Sequence, residues 1–208
     1  KVDIDAVQNI TADGNLISNN GDITLDAGGS ITTNSIVNAL NNVIANANGN
    51  IATNGDVTAE TGKAALNSKS GSITMQNVTA DQVVDIDAAY DITADGNLTS
   101  NNGDITMDAG GSITTNSIVN AFNNVIANAN GNIATNGDVT AETGKAVLNS
   151  KSGSVTMQNV AGNSEVDIDA AQDITADGNL TSNNGDITLN AGGNITTNGK
   201  TKARNNVT

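Results

Sequence analysis

The chain has 208 residues but only one Tyr, one Phe and no Trp, so its core must be built from small aliphatic side chains. The 8 basic and 22 acidic residues give a formal charge of −14, which disfavours nucleic acid and anionic lipid as partners. The absence of Cys and His excludes disulfides, thiolate metal sites and the commonest general base. The apolar runs are short, so we expect no membrane insertion.

A nearly perfect repeat of 82 residues runs through the chain. The pentapeptide Ile-Thr-Ala-Asp-Gly begins at Ile10 and returns at Ile92 and Ile174. A long repeat without a unique segment predicts a stacked array rather than a globule with one special pocket. We therefore expect a single segment over residues 1–208, with units 2–83, 84–165 and a partial unit 166–208. Because no leader-like pattern follows Lys1, we expect the chain to be a piece of a longer protein.

Each unit divides into four coils of alternately 21 and 20 residues. In each coil, three short stretches alternate apolar and polar residues and are separated by Gly, Asn and Asp, which predicts three short strands. The sequence thus predicts an all-β parallel β-helix of about ten coils, with Val207 at the start of an eleventh. The first inward residues of successive coils are Val2, Ile23, Val43, Ala64, Val84, Ile105, Val125, Ala146, Val166 and Ile187.

Two further columns of apolar residues are expected to stack inside the tube. The second column is entirely β-branched and consists of Ile10, Ile31, Ile51, Ile73, Ile92, Ile113, Ile133, Val155, Ile174 and Ile195. The third consists of Leu16, Ile36, Val57, Val78, Leu98, Ile118, Val139, Val160 and Leu180, and lapses at Thr201. A Thr-rich column, beginning at Thr11 and Thr32, is expected to point outward beside the second.

The turns between these strands have a regular composition. Pairs of Asn precede many first strands, and stacked Asn side chains are expected to form hydrogen bonds along the array. The pairs are Asn19-Asn20, Asn41-Asn42, Asn101-Asn102, Asn123-Asn124, Asn183-Asn184 and Asn205-Asn206. Glycines at the corners are expected to supply positive φ, namely Gly14, Gly28, Gly29, Gly49, Gly55 and Gly71. The absence of Pro suits strands that need every backbone N–H.

The strongest candidate for chemistry is the carboxylate pair Asp3/Asp5, which recurs as Asp85/Asp87 and Asp167/Asp169. Paired carboxylates can perform acid–base catalysis or bind Ca²⁺. Alternation places both side chains on the outer face of the first strand, so we favour a solvated, solubilising stripe. The Gly-Asp corners lack the paired glycines of the calcium-binding nonapeptide repeat, which leaves calcium as a minor alternative. We assign no catalytic, cofactor-binding or metal-binding residue.

Lysines provide a second candidate site. Lys63, Lys69, Lys145 and Lys151 recur at or beside the fourth and eighth coils and could form a basic spot for an acidic glycan. We favour scattered surface lysines on an acidic rod. Tyr90 and Phe122 occupy positions held elsewhere by Gln or Leu, and the chain has almost no aromatic platform for a sugar.

The segment Asn20-Gly21-Asp22-Ile23-Thr24-Leu25-Asp26-Ala27-Gly28-Gly29-Ser30-Ile31-Thr32-Thr33 resembles the repeats of filamentous haemagglutinin-type exoproteins of two-partner secretion. It is equally similar to the stalks of contact-dependent inhibition toxins. The resemblance covers essentially the whole chain. It implies a right-handed β-helix, export through an outer-membrane secretion partner, and a location that is secreted or on the bacterial cell surface. The Asn-Pro-Asn motifs of the secretion domain are missing here, as expected for the central shaft.

We therefore expect a structural shaft of a large surface adhesin or exoprotein, not an enzyme, with host-cell ligands bound by other regions. The main alternative is direct binding of a host glycan or glycoprotein through a face of the β-helix. A lyase or hydrolase is disfavoured because coils of near-constant length leave no cleft. Ice binding is disfavoured because the outward column beside Thr11 contains Asp13 and Asn34 rather than a second row of Thr. Unpaired strand edges are also expected to favour end-to-end self-association of the chain.

Overall fold

A computed structural model describes residues 1–208 and contains 30 strands and no helix. The strands form three parallel sheets of ten strands each, and every coil contributes one strand to each sheet. Sheet 1 consists of β1 (Val2–Ala6), β4 (Ile23–Ala27), β7 (Val43–Ala47), β10 (Ala64–Ser68), β13 (Val84–Ala88), β16 (Ile105–Ala109), β19 (Val125–Ala129), β22 (Lys145–Ser150), β25 (Glu165–Ala170) and β28 (Ile187–Ala191).

The other two sheets are built from strands of three residues. Sheet 2 consists of β2 (Ile10–Ala12), β5 (Ile31–Thr33), β8 (Ile51–Thr53), β11 (Ile73–Met75), β14 (Ile92–Ala94), β17 (Ile113–Thr115), β20 (Ile133–Thr135), β23 (Val155–Met157), β26 (Ile174–Ala176) and β29 (Ile195–Thr197). Sheet 3 consists of β3 (Leu16–Ser18), β6 (Val37–Ala39), β9 (Val57–Ala59), β12 (Val78–Ala80), β15 (Leu98–Ser100), β18 (Val119–Ala121), β21 (Val139–Ala141), β24 (Val160–Gly162), β27 (Leu180–Ser182) and β30 (Thr201–Ala203).

The predicted solenoid of ten coils is confirmed. Val2 pairs with Ile23, and Ile10 pairs with Ile31, so like residues stack from coil to coil. The start of an eleventh coil is also confirmed, because Val207 forms a bridge with Ile187. At about 4.8 Å per coil the rod is roughly 48 Å long. The right-handed sense of the coil stays a prediction, in line with the preference of parallel crossovers.

The third inward column was predicted wrongly at two places. Val37 and Val119, not Ile36 and Ile118, pair with the leucines of the coils below and are buried. Ile36 and Ile118 are 45% and 49% exposed. The reason is alternation: with Val37 inward, Ala39 also points inward and Asn38 outward, whereas an inward Ile36 would bring Asn38 into the core. The lapse at Thr201 is confirmed, since it pairs with Leu180 at the partly exposed last coil.

The corner glycines have a different role from the predicted one, because no residue of the chain has a positive φ. Instead, the coils approach so closely at the corners that a side chain would overlap the preceding coil. A Cβ on Gly28 would overlap the carbonyl oxygen of Val7, and one on Gly55 would overlap the backbone of Ser35. Gly14, in the first coil, has nothing within 4 Å. Glycine is therefore selected by close backbone approach.

This close approach can be tested with one pair of substitutions at the same repeat position. In Gly96→Ala the new methyl group would overlap the backbone of Gln76 and Asn77, whereas in Gly14→Ala it meets open space. We expect Gly96→Ala to lower the free energy of unfolding by about 2 kcal/mol or more, and Gly14→Ala to change it by less than about 0.5 kcal/mol. Chemical denaturation followed by circular dichroism measures both. Equal effects would contradict steric selection.

The Asn pairs do not stack on one another as predicted, because the register of the sheets brings Asn42 opposite Asp22 and Leu40 opposite Asn19. In most pairs the second Asn donates instead to an Asp of the coil below: Asn42 Nδ2 lies 2.9 Å from Asp22 Oδ1, and Asn124 Nδ2 lies 2.9 Å from Asp104 Oδ1, whereas Asn184 Nδ2 donates to Asn163 Oδ1. The predicted coil-to-coil hydrogen bonds of Asn therefore exist, but most of them end on carboxylates.

A continuous polar ladder, which we call the corner clamp, lies between sheets 1 and 2. In each member except the last, Asn194, the side-chain oxygen accepts a hydrogen bond of 2.7–3.3 Å from the backbone N–H of the equivalent residue one coil later. Corner N–H groups outside the strand ladders are thereby satisfied. The members are Asn9, Ser30, Asn50, Ser72, Asp91, Ser112, Asn132, Ser154, Asp173 and Asn194.

The apolar interior contains hydroxyl groups without partners. Thr33, Thr53, Thr115 and Thr135 point inward from sheet 2, are at most 3% exposed, and have Oγ1 atoms with no hydrogen-bond partner. A buried hydroxyl in this state destabilises a fold by about 1–3 kcal/mol relative to a paired one. The core thus carries an energetic penalty that recurs with the 82-residue period.

Removing one of these hydroxyls is expected to stabilise the rod. Thr115→Val keeps the shape of the side chain and removes the unpaired oxygen, so the free energy of unfolding should rise by about 1 kcal/mol. Thr114→Val on the outer face is the matched control and should change it little. Denaturant titration of the two variants decides the matter. A loss of stability in Thr115→Val alone would show that the hydroxyl has a partner.

Candidate functional site

The outer face of sheet 1 carries most of the candidate chemistry. Each of its strands presents two outward residues, and the second one is always an acid or an amide. The first column consists of Asp3, Thr24, Ile44, Ala65, Asp85, Thr106, Ile126, Val147, Asp167 and Thr188. The second consists of Asp5, Asp26, Asn46, Asn67, Asp87, Asp108, Asn128, Asn149, Asp169 and Asn190. The second column is therefore an ordered line of carboxylates and amides, whereas the first also contains Thr and aliphatic residues.

The three predicted Asp pairs lie on this face, exposed or half-exposed, as the alternation indicated. The structure adds Asp108, which pairs with Asp87 one coil later, so three carboxylates lie together around a shallow depression that Lys63 also lines. Two of these carboxylates accept hydrogen bonds from neutral side chains: Thr106 Oγ1 donates to Asp85 at 2.7 Å, and Asn128 Nδ2 donates to Asp108 at 2.8 Å. No three His, Cys, Asp or Glu side chains converge as a metal centre would require.

Crowding of these carboxylates changes their titration. The pKa of Asp87 is raised, mainly because the side chain is partly buried and also because Asp108 and Asp85 carry like charges nearby. The pKa of Asp167 is raised for the same reasons, first by partial burial and then by the negative charges of Asp169 and Glu165. The corner Asp22 behaves oppositely, because hydrogen bonds from the backbone and side chain of Asn42 lower its pKa.

The predicted lysine spot is not a single site. Lys63 precedes β10 and Lys69 follows it, so a strand of about 17 Å separates them. Lys69 lines a shallow groove of about 200 Å³ with Asp5, Asp26 and Asn46. The only ion pair of the chain joins Lys1 Nζ and Asp3 Oδ2 at 3.0 Å. The four recurrent lysines therefore have no acidic partner within ion-pair distance.

Sheet 3 exposes a face that sequence reasoning missed. Each coil presents three outward residues there: one before the strand, one in its middle and one after it. In coil 2 these are Ile36, Asn38 and Leu40, and the next coil presents Asp56, Thr58 and Glu60. An apolar row therefore lies beside an acidic row, and Asn38 Nδ2 donates to Glu60 Oε1 at 3.0 Å. The signal was available in the sequence, but Ile36 had been placed in the core.

The same rows recur one unit later with a conservative change. In coil 6 the row is Ile118, Asn120 and Phe122, and Asn120 Nδ2 donates to Glu142 Oε1 at 2.9 Å. Phe122 replaces Leu40 and is 39% exposed, so the apolar character of the row is kept.

The Thr-rich outward column of sheet 2 is confirmed by the pairing of Thr11 with Thr32.

The chain has no helix that is long and apolar enough to cross a membrane. No family model, no curated protein and no solved structure matches the chain.

Because the pKa of Asp87 is raised and that of Asp22 is lowered, replacing each by Asn should change Tm at neutral pH in opposite directions. Asp87 has a raised pKa, so its ionised form destabilises the fold at neutral pH, and this loss disappears as the pH falls below the ordinary Asp range near 4. Asp87→Asn should therefore raise Tm at pH 7, by an amount that shrinks on acidification.

Asp22 is the matched opposite case. Its lowered pKa contributes stability at neutral pH that is lost as the pH falls through the folded-state value. Asp22→Asn should lower Tm at pH 7, and the difference from the unmodified chain should close at acid pH. Thermal melts between about pH 2 and pH 7 measure both variants. Shifts of the same sign would refute this account.

Proposed function

We propose that the chain is a structural shaft segment of a large secreted bacterial surface adhesin or exoprotein, which displays a binding or toxin region at a distance. The observation that supports this most directly is the absence of long loops: no connection between consecutive strands exceeds four residues. Enzymes built on β-helices place their catalytic groups on loops over a cleft, and these coils have none. That the chain is not an enzyme stays a prediction.

Mechanically, the fold suits a spacer. Each coil contacts only its neighbours, so stability is a sum of similar interfaces and length can change without redesign. Because all strand pairs are parallel and in register, the rod has one direction and a constant rise per coil. Coil-by-coil stacking also suits export of an unfolded chain through an outer-membrane secretion partner, since each coil can form as it emerges. Export and surface location rest on the sequence resemblance.

The spacer proposal can be tested by changing the number of units. Deleting residues 84–165 joins Gln82-Val83 to Val166 in the same phase of the coil, and removes four coils. Small-angle scattering should then show a rod shorter by about 19 Å with an unchanged cross-section. Duplicating the same segment should lengthen the rod by the same amount. A change of cross-section, or loss of the β-rich circular dichroism signal, would contradict the proposal.

A second candidate function is direct binding of a host glycan or glycoprotein. The groove of Asp5, Asp26, Asn46 and Lys69 favours it, because carboxylates, an amide and an ammonium group there offer both donors and acceptors. A glycan array with the chain alone separates the two functions. Saturable binding that is abolished when Lys69 and its repeat counterpart Lys151 are both replaced by Ala, and preserved in Lys202→Ala, would support direct binding, whereas a blank array supports the shaft.

A further inference from the structure

The last coil carries a concentrated basic row on the face of sheet 3. Its three outward positions are Lys200, Lys202 and Arg204, which account for three of the 8 basic residues of the chain. All three are exposed, and none has an acidic partner within ion-pair distance. Residues 187–208 contain no acidic residue, although the chain as a whole has a formal charge of −14.

This row departs from the repeat at all three positions together. Its counterparts are Ile36, Asn38 and Leu40 in coil 2, and Ile118, Asn120 and Phe122 in coil 6. The apolar residues of the first two strands keep the repeat, as in Ile187-Thr188-Leu189 and Ile195-Thr196-Thr197, whereas the inward Val37 of coil 2 is Thr201 here. The replacement therefore changes the outer surface of one face and leaves the fold of the coil in place.

The same face carries an oppositely charged row three coils below. Asp138 precedes β21, Thr140 lies in it, and Glu142 follows it. Asp138 occupies the same column as Lys200, and Glu142 the same column as Arg204, because these residues stack through the coil-to-coil hydrogen bonds of the backbone. The two coils between them present only Asn, Ala and Thr: Asn159, Ala161, Asn163, Asn179, Thr181 and Asn183.

We propose that this face binds a second copy of the chain as an antiparallel, two-fold dimer. A two-fold axis in the plane of the interface and perpendicular to the rod keeps each column opposite itself and reverses the order of the coils. With coil 10 opposite coil 7, Lys200 meets Asp138 and Arg204 meets Glu142, and both contacts occur twice. Coils 8 and 9 then face each other through short uncharged side chains, which allow close approach.

The size of the contact sets its strength. Four coils span about 19 Å, and a row of five residues spans about 16 Å, so the contact between coils 7–10 of the two copies buries about 300 Å² per copy. This is below the range of stable complexes, so the association is weak and reversible. Two strongly acidic rods also repel each other, and this repulsion is screened over about 8 Å at physiological ionic strength. The dimer should therefore form best near physiological salt and weaken at both lower and higher salt.

Charge reversal on each row provides the test. Variant A carries K200E and R204E, and variant B carries D138K and E142K. Sedimentation velocity from about 10 µM to about 1 mM should show a monomer–dimer equilibrium for the unmodified chain. For A or B alone, the dissociation constant of the dimer should be at least tenfold higher. In an equimolar mixture of A and B all four contacts are attractive again, so the mixture should regain dimers. Circular dichroism confirms that each variant is folded.

Matched controls make the result specific to the proposed contact. Variant C, with D56K and E60K, makes the same charge change on the equivalent row of coil 3 and should dimerise like the unmodified chain. End-to-end stacking through strand edges would be unaffected by B, because coil 7 lies inside the rod. The proposal is overturned if the unmodified chain stays monomeric at about 1 mM, if A and B associate normally, if their mixture does not recover, or if C abolishes dimers.

Discussion

In-register stacking of one backbone coil on the next is the constraint from which the other features follow. The 148 backbone hydrogen bonds join residues about 20 positions apart, so every strand between the first and last coils is held by the coils before and after it. A β-strand alternates its side chains with a period of two, and a slip of one residue in any coil would turn its aliphatic side chains outward. The constant coil length of 20 or 21 residues is therefore a requirement of the core as well as of the sheets.

The corners show how this constraint selects residues outside the strands. The corner clamp uses a side-chain oxygen in one coil to satisfy a backbone N–H of the next, and at most corners this leaves no room for a side chain just before the following clamp residue. A Cβ on Gly131 would lie 2.5 Å from Ser112 Oγ, and one on Gly49 equally close to Ser30 Oγ. Glycine thus precedes most clamp residues. In the first coil of each unit the position holds Gln8, Tyr90 or Gln172, so a small minority of corners accept a larger side chain.

Much of the fold was accessible from the sequence because the repeat supplies many aligned copies of each position. The columns headed by Val2 and Ile10 followed from period-2 alternation and β-branching alone. Errors arose where two adjacent residues were equally apolar, as at Ile36 and Val37, and only the inward or outward direction of the following Asn38 decides between them. The corner clamp was visible in the sequence as an oxygen-bearing residue before every strand of sheet 2. Its hydrogen bonds could be recognised only from the stacked coils, because each one joins a side chain to the backbone of the next coil. The rows of sheet 3 could not be recognised until coil-to-coil register showed which residues share a column.

The near-identity of the 82-residue units creates an ambiguity for the folding chain. A coil that stacks four coils away from its correct place, which is one whole unit, would find the same aliphatic partners and the same clamp oxygens there. It would also find glycines at the same corners. Such a slipped state differs from the native one chiefly in the unit that it loops out, so contact energy discriminates poorly between them. Sequential growth from one end removes this ambiguity, because only the next coil is then within reach. A polymer of interchangeable segments depends in this way on the order in which its parts become available.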